Sequence, residues 1–181
     1  MKQIYAFAEG NMEMRALLGG KGANLAEMTN LGLPVPPGFT MTTAACHDYQ
    51  QQHGLSDALL AELDEHLQAL EQATGKRFDD PTAPLLVSVR SGAPISMPGM
   101  MDTILNIGLN DQTVQALATL TADTRFAYDS YRRLLAMFGN VVYGLSESAF
   151  DDVLTAIKQE KGYTSDLALT TDDLKRIIQA F

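Results

Sequence analysis

Only one cysteine, Cys46, occurs among the 181 residues, so no disulfide can close within the chain, and no Cys/His grouping has zinc spacing. Positive charge is scarce as well: 13 Lys and Arg stand against 22 Asp and Glu, a formal net charge of −9. That balance argues against a surface built to grip nucleic acid or anionic lipid, while leaving room for a local basic pocket around a phosphate. No apolar run approaches the ~18 residues needed to span a bilayer, and no basic stretch followed by an apolar segment opens the chain as a secretory signal would. Cytoplasm is therefore the default expectation. Internal repeats and low-complexity tracts are missing too. The three histidines, His47, His53 and His66, lie on a polar helical stretch with no partner pattern and read as solvated faces rather than ligands or bases.

What is present is an ordinary globular balance, enough for one good core or for two small units sharing one. IYAF at the N-terminus reads as a short strand. A glycine-rich turn and a helix follow, with Leu25, Met28 and Leu31 at helical spacing, Gly32 placed to end it and Pro34, Pro36 and Pro37 forbidding continuation. FTMTT reads as a second strand, and Thr42 or Thr43 caps a helix through the Tyr49 region. Ser56 precedes an amphipathic helix whose stripe is Leu59, Leu60, Leu63, Leu67 and Leu70. PLLVSVRS is the strongest strand, apolar on both faces and so expected to be central. TILNIGL reads as another strand with a glycine break.

From Asn110 onward only helices are expected. Asp111 is placed to cap the first, through Leu120. The next runs from Phe126 to Phe138 and ends at Gly139. A third starts after Ser146 or Ser148 and closes at Gly162, and Thr170 with Asp173 opens the last in the manner of a capping box. The fold class expected is α+β, with an α/β portion over 1–109 and a helical portion over 110–181. The last helix stays in phase to Phe181 without a stop signal, which suggests a chain that continues.

Three stretches carry chemistry. In LLGGKGANLAEM, the glycines around Lys21 allow close backbone approach, and the helix that follows points N–H groups and partial positive charge toward the same place. A lysine there suits a polyphosphate; the plain alternative is a glycine-rich turn with a solvated lysine. It is not a Walker A loop, because G-x-x-x-x-G-K-[ST] fails in every register. In SVRSGAPISMPGMMDT, Arg90 ends a strand apolar enough to be buried, and a buried guanidinium must find an anion. That anion is a phosphate or a core carboxylate such as Asp102 or Glu9. Gly99 gives the loop freedom, Met97, Met100 and Met101 can lie along a purine face or simply fill core, and Asp102 and Thr103 offer oxygens. In DTRFAYDSYRRLLAMFG, Arg132 and Arg133 read as a solvated or interface face beside a core stripe.

YAFAEGN, MRALLGGKGANLAEMTNLGLPVPPGFTMTT, LLVSVRSGAPISMPGMMDTILNIGLND and RFAYDSYRRLLAMFG together resemble the N-terminal part of the pyruvate, phosphate dikinase family. The resemblance covers nearly the whole chain apart from stretches near 50–80 and 145–181. Phosphoenolpyruvate synthase and glucan-phosphorylating dikinases share the lysine loop and the strand-borne arginine, but usually differ after that arginine. The resemblance implies the first half of an ATP-grasp-like nucleotide-binding domain plus a helical subdomain. It also implies a reversible conversion of ATP, phosphate and pyruvate to AMP, pyrophosphate and phosphoenolpyruvate, with Mg2+, through a phosphohistidine on another domain of a homodimeric enzyme.

Carried over by motif, Lys21 and Arg90 would contact ATP phosphates, flanked by Gly20, Gly22 and Gly99. Met101, Asp102 and Thr103 would lie on the loop near the nucleotide. The family's second ATP-grasp half, its histidine domain and its pyruvate-binding barrel are not among these 181 residues, so no catalytic residue and no metal ligand is assigned. The expectation is an ATP-binding fragment that is inactive alone. The alternatives are a free-standing nucleotide-binding or regulatory module, and an α/β domain with no ligand.

Overall fold

The computed structural model describes residues 2–92 and 102–181. The strands are β1 (Ile4–Ala6), β2 (Phe39–Met41), β3 (Val87–Arg90) and β4 (Thr103–Ile107). Between and after them run α1 (Arg15–Asn30), α2 (Thr43–Gln52), α3 (Asp57–Thr74), α4 (Thr113–Thr121), α5 (Thr124–Tyr143), α6 (Glu147–Lys161) and α7 (Thr171–Ala180). Among the described residues the sheets are two antiparallel pairs, β1–β2 and β3–β4, so the architecture is a mixture of helix and small sheet. Contacts divide the chain into two units. The first holds the described residues through Gly75 with Ser91 and Gly92; the second holds Lys76–Arg90 and Asp102–Phe181.

In the first unit, Ile4 of β1 pairs with Met41 of β2 and is fully buried with Ala45 and Leu59. The Glu62 carboxylate accepts the backbone N–H groups of Gln3 at 3.0 Å and Ile4 at 2.9 Å, tying the start of β1 to α3. Thr42 caps α2 and Ser56 caps α3, each hydroxyl accepting the N–H three residues on. Helix α1 ends at Gly32 (φ +75) as expected, with the Leu33 N–H returning to the Met28 carbonyl and the Gly32 N–H to Thr29, a Schellman closure.

The buried face of α1 is not the expected one. Leu31 is 69% exposed and Met28 41%, while Leu18, Gly22, Ala23 and Ala26 are buried. Small residues won because this helix lies close to β2: a Cβ on Gly22 would sit 2.7 Å from the Thr40 methyl. In α3, Leu60 likewise points outward while Leu59 and Leu70 are buried.

The second unit is organised around α5. Ala127, Tyr131 and Leu134 of that helix pack with Ile104, Leu109 and Val114. A second cluster joins Leu154 and Ile157 of α6 to Leu174 and Ile177 of α7. Arg125 clamps the α6–α7 connection by donating to the carbonyls of Leu169 (2.8 Å) and Asp166 (2.7 Å). Gly162 ends α6 at φ 70, and the Thr170–Asp173 capping box opens α7 as expected.

Three expectations are corrected here. Helix α5 does not end at Gly139 but runs on to Gly144, because Gly139 is a packing glycine whose missing side chain makes room for the Phe150 ring. The residue that opens α4 is Asn110, whose Oδ1 accepts the N–H groups of Gln112 and Thr113, while Asp111 instead accepts the Tyr131 hydroxyl at 3.1 Å. Strand β3 is not the buried centre of a sheet. Pro84 and Leu85, the deeply buried part of the apolar run, precede the strand, and Ser88, Val89 and Arg90 are exposed.

Candidate functional site

The glycine-rich stretch is built as a helix with a break in it. Gly19 has φ 71 and ψ 170, a conformation outside the helical region and open to glycine because it has no Cβ. The turn before the break is entered from Asn11, whose Oδ1 accepts the Glu13 N–H, and Asn30 reaches back from the far end of α1 to the Gly10 carbonyl at 2.7 Å. A break of this kind interrupts the i to i−4 ladder, so the helical turn beginning at Gly20 starts with N–H groups that lack in-line carbonyls. Gly20 and Lys21 are half-buried there and Gly22 is buried. The Lys21 side chain thus leaves from the same turn whose first N–H groups carry the partial positive charge of a helix start.

Lys21 is held. Its Nζ donates to the Ser91 carbonyl at 3.0 Å, a contact that no side-chain pattern in the sequence announces because the acceptor is backbone. An ammonium has three donors, so this bond leaves two for another acceptor.

Arg90 and Thr103 are brought directly opposite each other in the β3–β4 pair, so their side chains share one face. The pair contains an irregularity between Val87 and Val89, where Asn106 takes φ 61, and Gly108 (φ +114) lies against the Leu85 carbonyl with no room for a Cβ. The expectation of a buried Arg90 is corrected: the residue is exposed at the strand end and makes no ion pair among the described residues. Its reason is the one already given for β3, whose buried apolar residues lie upstream. Glu9, one of the two carboxylates considered for it, is bonded to Lys2 and to the Ala6 N–H, which hold its carboxyl below the usual range. Asp102 is exposed. Gly99 and Met101, with Met97 and Met100, lie outside the described residues. Lys21 belongs to the first unit and Arg90 to the second.

The arginine pair on α5 is structural in its contacts. Arg132 is only 8% exposed, and its Nε and Nη2 donate to one Asp129 oxygen while Arg133 donates to the other at 2.9 Å. Burial, the largest single influence on Asp129, pushes its carboxyl up, but the hydrogen bonds and charges of the two arginines together outweigh it and leave the group lowered. Burial also pushes the Tyr131 hydroxyl up to about 12, aided by its bond to Asp111. His47 bonds Gln51, His53 ends α2 in the left-handed region, and His66 bonds the Glu62 carbonyl with its ring edge-on to Phe39. Among the described residues no three His, Cys, Asp or Glu side chains cluster in a way that could hold a metal.

Residues 15–74 match the family model described as "Pyruvate phosphate dikinase, AMP/ATP-binding domain". The chain is also 54% identical over 187 aligned residues to the chloroplastic pyruvate, phosphate dikinase of Mesembryanthemum crystallinum, covering 100% of this chain and 20% of that protein. This chain belongs with the N-terminal region of the pyruvate, phosphate dikinases. The pyruvate, phosphate dikinase of Clostridium symbiosum is 52% identical over 181 residues, 99% of this chain and 21% of that protein. Pyruvate, phosphate dikinase 2 of Zea mays is 53% identical over 175 residues, 96% of this chain and 20% of the relative. The chain therefore spans about one fifth of the length of the dikinases it matches. Within this dikinase region the family-model match takes in the whole broken helix and the β2–α2 segment beneath it, and stops before Arg90.

Proposed function

We propose that this chain supplies one wall of the ATP site of a pyruvate, phosphate dikinase, with Lys21 and the start of the helix at Gly20–Gly22 taking the phosphates. The observation that carries the reading is the coincidence of the Gly19 break, the Lys21 ammonium and the match of residues 15–74 to an AMP/ATP-binding domain. Arg90 serves as a second phosphate cation, for which an exposed planar guanidinium is well suited. Thr103, beside it on the same face, and Asp102, Met101 and Gly99 complete the nucleotide-facing set. On this reading the fold is the first half of an ATP-grasp-like domain, 1–109, followed by a helical subdomain, 110–181.

The reaction of the whole dikinase, ATP plus phosphate plus pyruvate to AMP, pyrophosphate and phosphoenolpyruvate, belongs to this proposal as well, with homodimerisation a property of the full-length enzyme. Phosphoryl transfer needs charge stabilisation and in-line placement of an acceptor. The described residues would contribute cations toward the first requirement, and among them no carboxylate cluster fits magnesium, which would supply further charge stabilisation in the full-length enzyme. The phosphate-accepting histidine is likewise assigned outside His47, His53 and His66, whose contacts are those of ordinary helix and core positions. No helix among the described residues is long and apolar enough to cross a membrane.

The 181-residue chain is accordingly expected to bind ATP weakly and to turn nothing over. Isothermal titration of ATP with and without magnesium tests this. Affinity in the micromolar range, or transfer of the γ-phosphate to any histidine of the chain, contradicts it.

A further inference from the structure

We propose that Thr43 is a positioning residue that holds the break in α1 open; its effect on ligand binding rests on the nucleotide reading above. In an unbroken helix the Ala16 carbonyl accepts the N–H of Gly20, four residues on. At Gly19 the backbone has φ 71 and ψ 170, where a helix needs about −63° and −42°. The peptide joining Gly19 to Gly20 is therefore turned over, and its N–H leaves the line of the Ala16 carbonyl.

That carbonyl is not left bare. Thr43 Oγ1 donates to it at 2.9 Å. The hydroxyl is carried on the first residue of α2, a position fixed by the Thr42 cap, which accepts the Ala45 N–H at 3.2 Å and is itself 1% exposed. Three residues earlier, Thr40 sets its methyl group where a Cβ of Gly22 would be. One short segment thus supports both sides of the break. A straight helix already satisfies the Ala16 carbonyl from within, so the Thr43 hydroxyl stabilises the broken form over the straight one. The Gly20 N–H that the break releases stands next to Lys21, at the start of the second helical part. Thr43 touches no ligand in this account and acts through the backbone of Ala16 to Gly20.

The test uses the whole 181-residue chain and the variants Thr43→Val, which keeps the branched shape without a donor, and Thr43→Ser, which restores the donor. Without ligand, amide exchange at Gly20 followed by NMR is expected to slow about five-fold in Thr43→Val as the N–H returns to the Ala16 carbonyl, and to match the parent in Thr43→Ser. With ATP, the shift changes at Gly20–Gly22 are expected to need about five-fold more ligand in Thr43→Val and to recover in Thr43→Ser. Unchanged Gly20 exchange in Thr43→Val overturns the proposal. ATP shifts present in the parent and equally strong in Thr43→Val overturn the effect on binding alone. Absence of ATP shifts in all three, with Gly20 responding as expected, removes the nucleotide reading and leaves the support of the break standing.

Discussion

Helices α1 and α5 each bury a glycine against a neighbour, and the two are surrounded very differently. Gly139 of α5 accommodates the ring of Phe150, which stacks edge-on with Phe181 at 4.9 Å, in a helix that also buries Tyr131, Leu134 and the Arg132 guanidinium. Gly22 of α1 faces the methyl and hydroxyl of Thr40 and the Leu18 Cβ, in a helix whose buried residues besides Leu18 are glycines and alanines and which is broken one turn earlier. The second helix spends its small residue on packing. The first gives up packing area, keeps its backbone close to β2, and places a lysine at an interrupted ladder. On the nucleotide reading proposed above, that difference separates a supporting helix from one shaped around a ligand, and substitutions in the two should behave accordingly.

The largest expected effect lies in α5. Asp129→Ala leaves the buried Arg132 without its carboxylate and should cost roughly 3 kcal/mol, read as a lowered urea midpoint. The sign with pH follows from the lowered Asp129 carboxyl. Its contribution is fully present above the unfolded value of about 4 and is lost as pH falls through the lower folded value, so Asp129→Asn should flatten the acid limb of a stability profile. Stability losses at Asp129 that leave ATP-induced shifts in α1 unchanged would sharpen the contrast; loss of those shifts would break it.

Next come the glycines. Gly139→Ala should lose about 1–2 kcal/mol to overpacking, partly offset by the better helix propensity of alanine. Gly22→Ala should cost a similar amount, since the Thr40 methyl must move, and should in addition weaken the response of Gly20–Gly22 to ATP. Equal ATP responses in the two variants would mean that α1 is ordinary packing after all.

Lys21→Met is expected to change stability by no more than about 0.5 kcal/mol, because the residue is half-buried and holds one carbonyl. It should nevertheless move the Ser91 carbonyl carbon resonance and abolish the ATP response. Smallest of all is Glu160→Gln, which removes an exposed pair with Arg176 and should leave thermal unfolding unchanged.

Legibility in the sequence followed the range of the interaction. Local devices were readable: the Ser56 cap, Gly32 and Gly162 as helix ends, and the Thr170–Asp173 box, each written in residues three or four apart. Tertiary choices were not. Nothing near Leu25, Met28 and Leu31 says that β2 will take the opposite, small-residue face of α1, and nothing near Gly139 says that Phe150 will fill its notch. The apolar run before Arg90 implies burial, because hydropathy cannot tell a buried strand from a run buried only at its upstream end. At the candidate site, Lys21 and its glycines were legible as a motif. The Ser91 carbonyl and the Thr43–Ala16 bond were not, because each joins distant segments through a backbone oxygen and leaves no pattern in side chains.

The claim that the broken helix is a phosphate-binding wall is tested most directly by titrating ATP into the 181-residue chain while following backbone amide resonances. The account predicts saturable shifts centred on Gly20, Lys21, Gly22 and Ala23 with a dissociation constant on the order of 1 mM, all lost in Lys21→Met. Shifts spread over α5 with Gly20–Ala23 unmoved, or an unaltered titration in Lys21→Met, would contradict it.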